Sequence, residues 1–182
     1  AQYYHFDKPN RWMTSGGLGT MGYGLPAAIG VQIGHPDSLV IDIAGEASTM
    51  MNIQELGTIA QYKLPVKIFI LNNSSLGMVR QWQTLFYNQR YSNTDLHTGT
   101  DTAMVPDFVK LSDAYGCLAI RVEKVEEVDA AIKLAMETND RPVVIDFIVG
   151  RDAMVWPMVP AGVSNDAVQY ARDAAPIWDG EE

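Results

Sequence analysis

Cysteine is nearly absent: one residue, Cys117, in a chain of 182. That excludes an intrachain disulfide and fits a reducing compartment, so the fold must rest on packing. Positive charge is also scarce, with 13 basic against 22 acidic residues, a net charge of −9, and no polybasic block. Neither nucleic acid nor an anionic membrane surface is an expected partner. No apolar run approaches the ~18 residues that would span a bilayer, and the opening AQYYHFDKPNRW lacks a basic-then-apolar leader pattern. Repeats and low-complexity tracts are missing as well. The expectation is a soluble, cytoplasmic protein or a piece of one.

What is present is a 47% apolar, 19% charged composition, which argues against disorder. Four β-branched runs stand out: LVIDIAG (39–45), VKIFILNN (66–73), LAIRV (118–122) and PVVIDFIVG (142–150). They are apolar almost throughout rather than alternating, which predicts strands covered on both faces and hence a parallel sheet. Helical patterns fall at about 25–34, 50–62, 77–86, 107–115 and 126–138. In the last, Val128, Ala131, Ile132 and Ala135 share one face. The predicted class is α/β, an open, mostly parallel sheet with helices on both faces, over residues 1–150. Residues 92–106 read as a surface loop. From 151 to 182 an irregular tail carries Met154, Val155, Trp156, Met158 and Val159, expected to dock on this domain or on a partner. Cys117, in AYGCLAI, reads as a small buried hydrophobe.

In open parallel sheets ligands gather beyond the carboxyl ends of the strands. Two consecutive strand ends are unusual here. LVIDIA runs into Gly45-Glu46-Ala47-Ser48-Thr49, and VKIFIL runs into Asn72-Asn73-Ser74-Ser75-Leu76-Gly77, each followed by a helix. A small-residue turn at a helix N-terminus suits a phosphate, and a carboxylate, an amide and loop carbonyls are hard oxygen donors suited to Mg2+ or Ca2+. Neither turn holds a Lys or Arg, so a bound diphosphate would need a divalent cation to neutralise it. Ordinary turn chemistry, with Ser48 or Thr49 as N-cap, explains either turn taken alone.

Gly45-Glu46, then 26 intervening residues, then Asn73 resembles the metal and cofactor motif of thiamine diphosphate enzymes. GGLGTMGYGLPAAIG (16–30), LPVKIFILNN (64–73), GMVRQWQTLFY (77–87), VPDFVKL (105–111) and PMVPAG (157–162) make the chain similar to the C-terminal cofactor-binding domain of the acetolactate synthase family. The resemblance implies a thiamine diphosphate-binding fold and condensation of two 2-ketoacids, as in pyruvate to 2-acetolactate, in branched-chain amino acid biosynthesis. It implies that Glu46 and Asn73 bind Mg2+ by side chain and Ser75 by its backbone carbonyl. Gly45, Ala47, Ser48, Asn73, Gly77 and Met78 would line the diphosphate. Gly19 would offer its carbonyl to the aminopyrimidine, Met21 would wedge under the bent cofactor, and Trp82 would wall the second ketoacid's pocket.

No catalytic residue is assigned in this chain. The family's activating glutamate belongs to an N-terminal domain of a partner subunit, and Glu55, within a helical pattern, reads as structural or solvent-facing. That domain and a middle domain able to hold FAD would be missing, and FAD would not be bound here. A homo-oligomer and a regulatory small subunit are further implied partners. The family's usual metal ligand is Asp, whereas this chain has Glu46, one methylene longer, followed by Ala47. Rival readings are another thiamine diphosphate lyase, a scaffold domain with a weakened metal site, and a dinucleotide fold. For the last, Gly17, Gly19 and Gly22 satisfy G-x-G-x-x-G with Asp42 about 20 residues on, but no apolar strand precedes them. Arg80 is read as meeting either a substrate carboxylate or solvent. His5, His35 and His97 read as surface residues.

Overall fold

Four β-branched runs do pair as one sheet, and every pairing is parallel. The computed structural model describes residues 1, 3–96 and 105–170. Its strands β1 (Ile41–Gly45), β2 (Lys67–Asn72), β3 (Leu118–Val122) and β4 (Val143–Ile148) lie in the order β1-β2-β4-β3. In register, Gly45 is opposite Leu71, Asn72 opposite Ile148, and Arg121 opposite Asp146. Helix α1 (Gly24–Gly34) precedes β1, and the crossovers that return the chain to a parallel neighbour carry α2 (Glu46–Met51), α3 (Glu55–Gln61), α4 (Gly77–Phe86), α5 (Phe108–Ala114) and α6 (Val128–Glu137).

The chain forms two compact units, residues 1–72 with 105–149, and residues 73–104 with 150–182. In the first, the sheet has a core on each face. One joins Leu25 and Ile29 of α1, Leu56 and Ile59 of α3 and Phe108 of α5 to Val40, Ile68, Ile70 and Val144. The other joins Ala131 and Ala135 of α6 to Val122, Val143, Ile145 and Phe147. The one-face spacing of α6 is therefore met, with Val128 and Ile132 packed beside that core. A fully buried Ile or Phe contributes about 1.5–3 kcal/mol relative to exposure, so these two layers dominate the stability of the unit.

Two expectations fail in instructive ways. Coverage on both faces holds for β4 but not for β1, where Ile41 and Ile43 are exposed. The second core draws on β2, β3, β4 and α6 and has no member from β1. The helix predicted over 50–62 is two helices, and the first begins earlier, at Glu46. The break falls at Asn52, whose side chain donates to the Gly22 carbonyl at 2.6 Å and whose backbone leaves the helical region.

The second unit is built around α4. Gln81 is buried, donating to the Val155 carbonyl at 3.0 Å while accepting the Val155 N–H at 2.8 Å. Arg80 pairs with Asp152 at 2.6 Å. Met158 and Gln169 exchange backbone bonds in an antiparallel bridge. Residues 152–158 are thus held to α4 by polar contacts, while Val155 and Val159 stay exposed. His97, most of the 97–106 stretch and the acidic end lie outside the described residues.

Candidate functional site

Glu46 is the first residue after β1 and Asn73 the first after β2, and those two strands are parallel neighbours. Each turn is described in its own unit.

At the first turn Gly45, not Ser48 or Thr49, is the N-cap of α2, in extended conformation and with no side-chain cap. Thr49 instead donates its hydroxyl back to the Gly45 carbonyl at 3.0 Å. Glu46 is buried in the first helical turn, next to half-buried Ala47 and Ser48. The Ser48 hydroxyl accepts the Gly22 N–H at 2.9 Å. With the bond from Asn52, this clips the 16–23 loop to α2 through both the N–H and the carbonyl of Gly22. Gly22 is required there: its φ is +85°, and a Cβ would come within 2.8 Å of Asn52 Nδ2 and 2.9 Å of Met51 Cβ. In the same loop Gly19 also has positive φ, donates to the Ser15 carbonyl at 2.6 Å, and is exposed, as is Met21. Residues 10–15 form no strand before this loop and Asp42 lies inside β1, so the context of a dinucleotide fingerprint is absent.

The second turn is an Asx-type turn, in which Asn73 Oδ1 accepts the Ser75 N–H at 3.1 Å while Ser74 takes a left-handed φ of 55°. Ser75 is buried, its hydroxyl donating to the Thr94 carbonyl at 3.1 Å. Leu76 N–H also donates to that carbonyl, at 2.8 Å, and Ser75 bridges Asp95. A Cβ on Gly77 would lie 3.0 Å from Asn73 Nδ2, so a larger residue at the start of the helix would push on the amide. Asn73, Ser75 and Gly77 are thus brought together in one turn. Beyond it, Met78, Val79, Trp82, Gln83, Tyr87 and Arg90 line a cavity of about 470 Å³. Trp82 is half exposed and meets Phe86 edge to face. Arg80 has partners within the chain: besides Asp152, it lies over the Tyr91 ring.

Two aspartates lie inside apolar strands, where a charge is a legible signal: the sequence reading weighs Asp42 only for the dinucleotide fingerprint and gives Asp146 no role. Asp42 is buried on the face of β1 that holds Val40, its Oδ2 meets no hydrogen-bond partner among the described residues, and burial pushes its carboxyl up to about 6. Asp146 is buried and fully engaged. Its Oδ1 accepts from Asn72 Nδ2 at 3.0 Å and its Oδ2 from Arg121 Nε and Nη2 at 3.3 Å. Arg121 continues to Asp107 at 2.9 Å, the N-cap of α5, whose carboxyl is held low first by the Lys110 backbone N–H and then by Arg121. Cys117 is buried and its thiol pushed up to about 11, as an inert core residue would be.

Among the described residues no three His, Cys, Asp or Glu side chains cluster, so a metal would be held by mixed oxygen donors. Such a set of one carboxylate, one amide and one main-chain carbonyl fits a hard cation such as Mg2+. Nor, among those residues, is any helix long and apolar enough to cross a membrane.

Comparison with known proteins points the same way. A family described as thiamine pyrophosphate enzyme, C-terminal TPP binding domain, matches residues 1–147. The acetolactate synthase large subunit of Corynebacterium glutamicum is 57% identical over 182 residues, all of this chain and 29% of that protein. The acetolactate synthase of Mycobacterium avium is 52% identical over 181 residues, again 29% of its length. The chain therefore spans under a third of these relatives. Among solved structures, a thiamine diphosphate-dependent 4-hydroxybenzoylformate decarboxylase of Rhodococcus jostii superposes with a TM-score of 0.65 at 31% identity, over 75% of this chain and 24% of that one.

Proposed function

The chain belongs to the thiamine pyrophosphate enzymes, as their C-terminal TPP-binding domain, and from that premise we propose that it holds magnesium and thiamine diphosphate for the condensation of two 2-ketoacids. The observation that carries the reading is that Glu46 and Asn73 each follow directly upon neighbouring parallel strands. In this reading Glu46 and Asn73 supply side-chain oxygens to Mg2+ and Ser75 its carbonyl. The N-termini of α2 and α4 both lack side-chain caps, which favours Gly45, Ala47, Ser48, Gly77 and Met78 as the diphosphate cradle. Gly19 and Met21 orient the cofactor's rings from the clipped loop. Trp82 shields the second ketoacid from water.

When bound, the cofactor supplies the electron sink that decarboxylation and carbon–carbon bond formation require. The relatives at 52–57% identity carry acetolactate synthase names, which favours condensation over the decarboxylation named for the more distant structural neighbour. Calorimetry tests the binding step: thiamine diphosphate should bind only with Mg2+, and Glu46→Ala should abolish that Mg2+-dependent binding. Unchanged affinity would remove Glu46 from the metal. Because most of the relatives' length lies outside this chain, it should bind cofactor weakly and turn over no pyruvate alone; full activity would contradict the reading.

A further inference from the structure

Asp146 lies at the centre of a polar line that crosses three strands on one face of the sheet. Asp146 on β4 is directly opposite Arg121 on β3, and two residues back from Ile148, the partner of Asn72 on β2. Such diagonal and direct neighbours share a face and can touch. Here both contacts form, so each carboxylate oxygen is committed, one to Asn72 and one to Arg121. Both Asn72 and Asp146 are buried, and Arg121 is anchored in turn by Asp107. Asn72 is also fixed through its backbone, its carbonyl accepting the Val149 N–H at 3.0 Å. It is the last residue of β2, and Asn73 follows it.

We infer that Asp146 is a positioning residue for the Asn72-Asn73 corner, and through it for the metal ligand that Asn73 supplies; this rests on the function proposed above. Val144 and Ile70 beside it belong to the apolar core, so the carboxylate is a polar group set into an otherwise apolar neighbourhood. What the carboxylate adds is a fixed rotamer for Asn72 at the base of the turn. Mg2+ tolerates little departure from octahedral geometry at about 2.1 Å, and loss of groups that orient ligands costs about 10–100-fold in metal affinity.

The test titrates Mn2+ into the full chain at saturating thiamine diphosphate, reading bound metal by its spin resonance signal, beside a melting curve for each variant. Asp146→Asn should need about tenfold more Mn2+ for half-saturation. The swap Asn72→Asp with Asp146→Asn recreates a donor–acceptor pair and leaves an oxygen for Arg121, so it should recover most of that loss; a swap as weak as the single variant overturns the inference. So does an unchanged Mn2+ requirement in Asp146→Asn beside a wild type that binds normally, and the cofactor reading then stands. A wild type that takes up no thiamine diphosphate at any Mn2+ concentration removes that reading and this inference with it. If Asp146→Asn does not fold, Arg121→Gln, at a half-exposed site, frees one side of Asp146. It should raise the requirement about threefold, and no change there overturns the inference too.

Discussion

Strands β1 and β4 carry nearly the same message, VIDIA and VIDFI, yet the fold treats them oppositely. In β4 five of six residues are buried, and the aspartate has a partner for each oxygen. In β1, at the edge of the sheet as described, Ile41 and Ile43 are exposed, and the aspartate is buried with one oxygen that has no partner among the described residues. The difference lies in neighbours. β4 has β2 and β3 beside it, and α5 and α6 pack on its two faces. A strand's sequence advertises what it can bury; the strands and helices around it decide what is buried.

The largest effect should separate the two strands directly. Ile145→Ala in β4 should cost about 3 kcal/mol through lost burial and a residual cavity, whereas Ile43→Ala should cost less than about 1 kcal/mol. Urea unfolding of both variants checks this, and equal costs would mean that β1 is as enclosed as β4.

The buried aspartate of β1 should make stability depend on pH. The Asp42 carboxyl titrates at about 6 in the fold against 3.8 ordinarily. Between those values the folded chain keeps a proton that the unfolded chain releases, so stability is full below about pH 4, falls as pH rises to 6, and stays lower above. Asp42→Asn should therefore gain on the order of 2 kcal/mol at pH 8 and nothing at pH 4, flattening the profile. A loss at pH 8 would show that Asp42 is paired when ionised.

The smallest effect falls on Arg121, half exposed and shared between Asp146 and Asp107. Arg121→Gln should lower stability by about 1 kcal/mol or less, since partly solvated ion pairs contribute little. Melting at low and high salt would separate the charge from the hydrogen bonds, because only the first is screened.

Much of this was legible. The β-branched runs gave the strands to within three residues, because such side chains fit a pleated, covered surface and a parallel sheet needs helices between its strands. The turns after β1 and β2 were legible for a chemical reason, since small residues, a carboxylate and an amide together at strand ends are rare for structure alone. The helix break at Asn52 was not, because it depends on a carbonyl 30 residues away, and helix propensity contains no such term. The loop around Gly22 and the grip of Gln81 on Val155 are of the same kind.

The amino-acid order by itself determined the strands, the parallel class and the two turns, since these follow from local side-chain shape and from periodicity over a few residues. Only the tertiary structure decided which aspartate finds partners, which strand goes uncovered, where α2 begins, and that Arg80 is occupied by Asp152. Those outcomes depend on hydrogen bonds and burial between residues distant along the chain, and they exist only once the sheet order has brought those residues side by side.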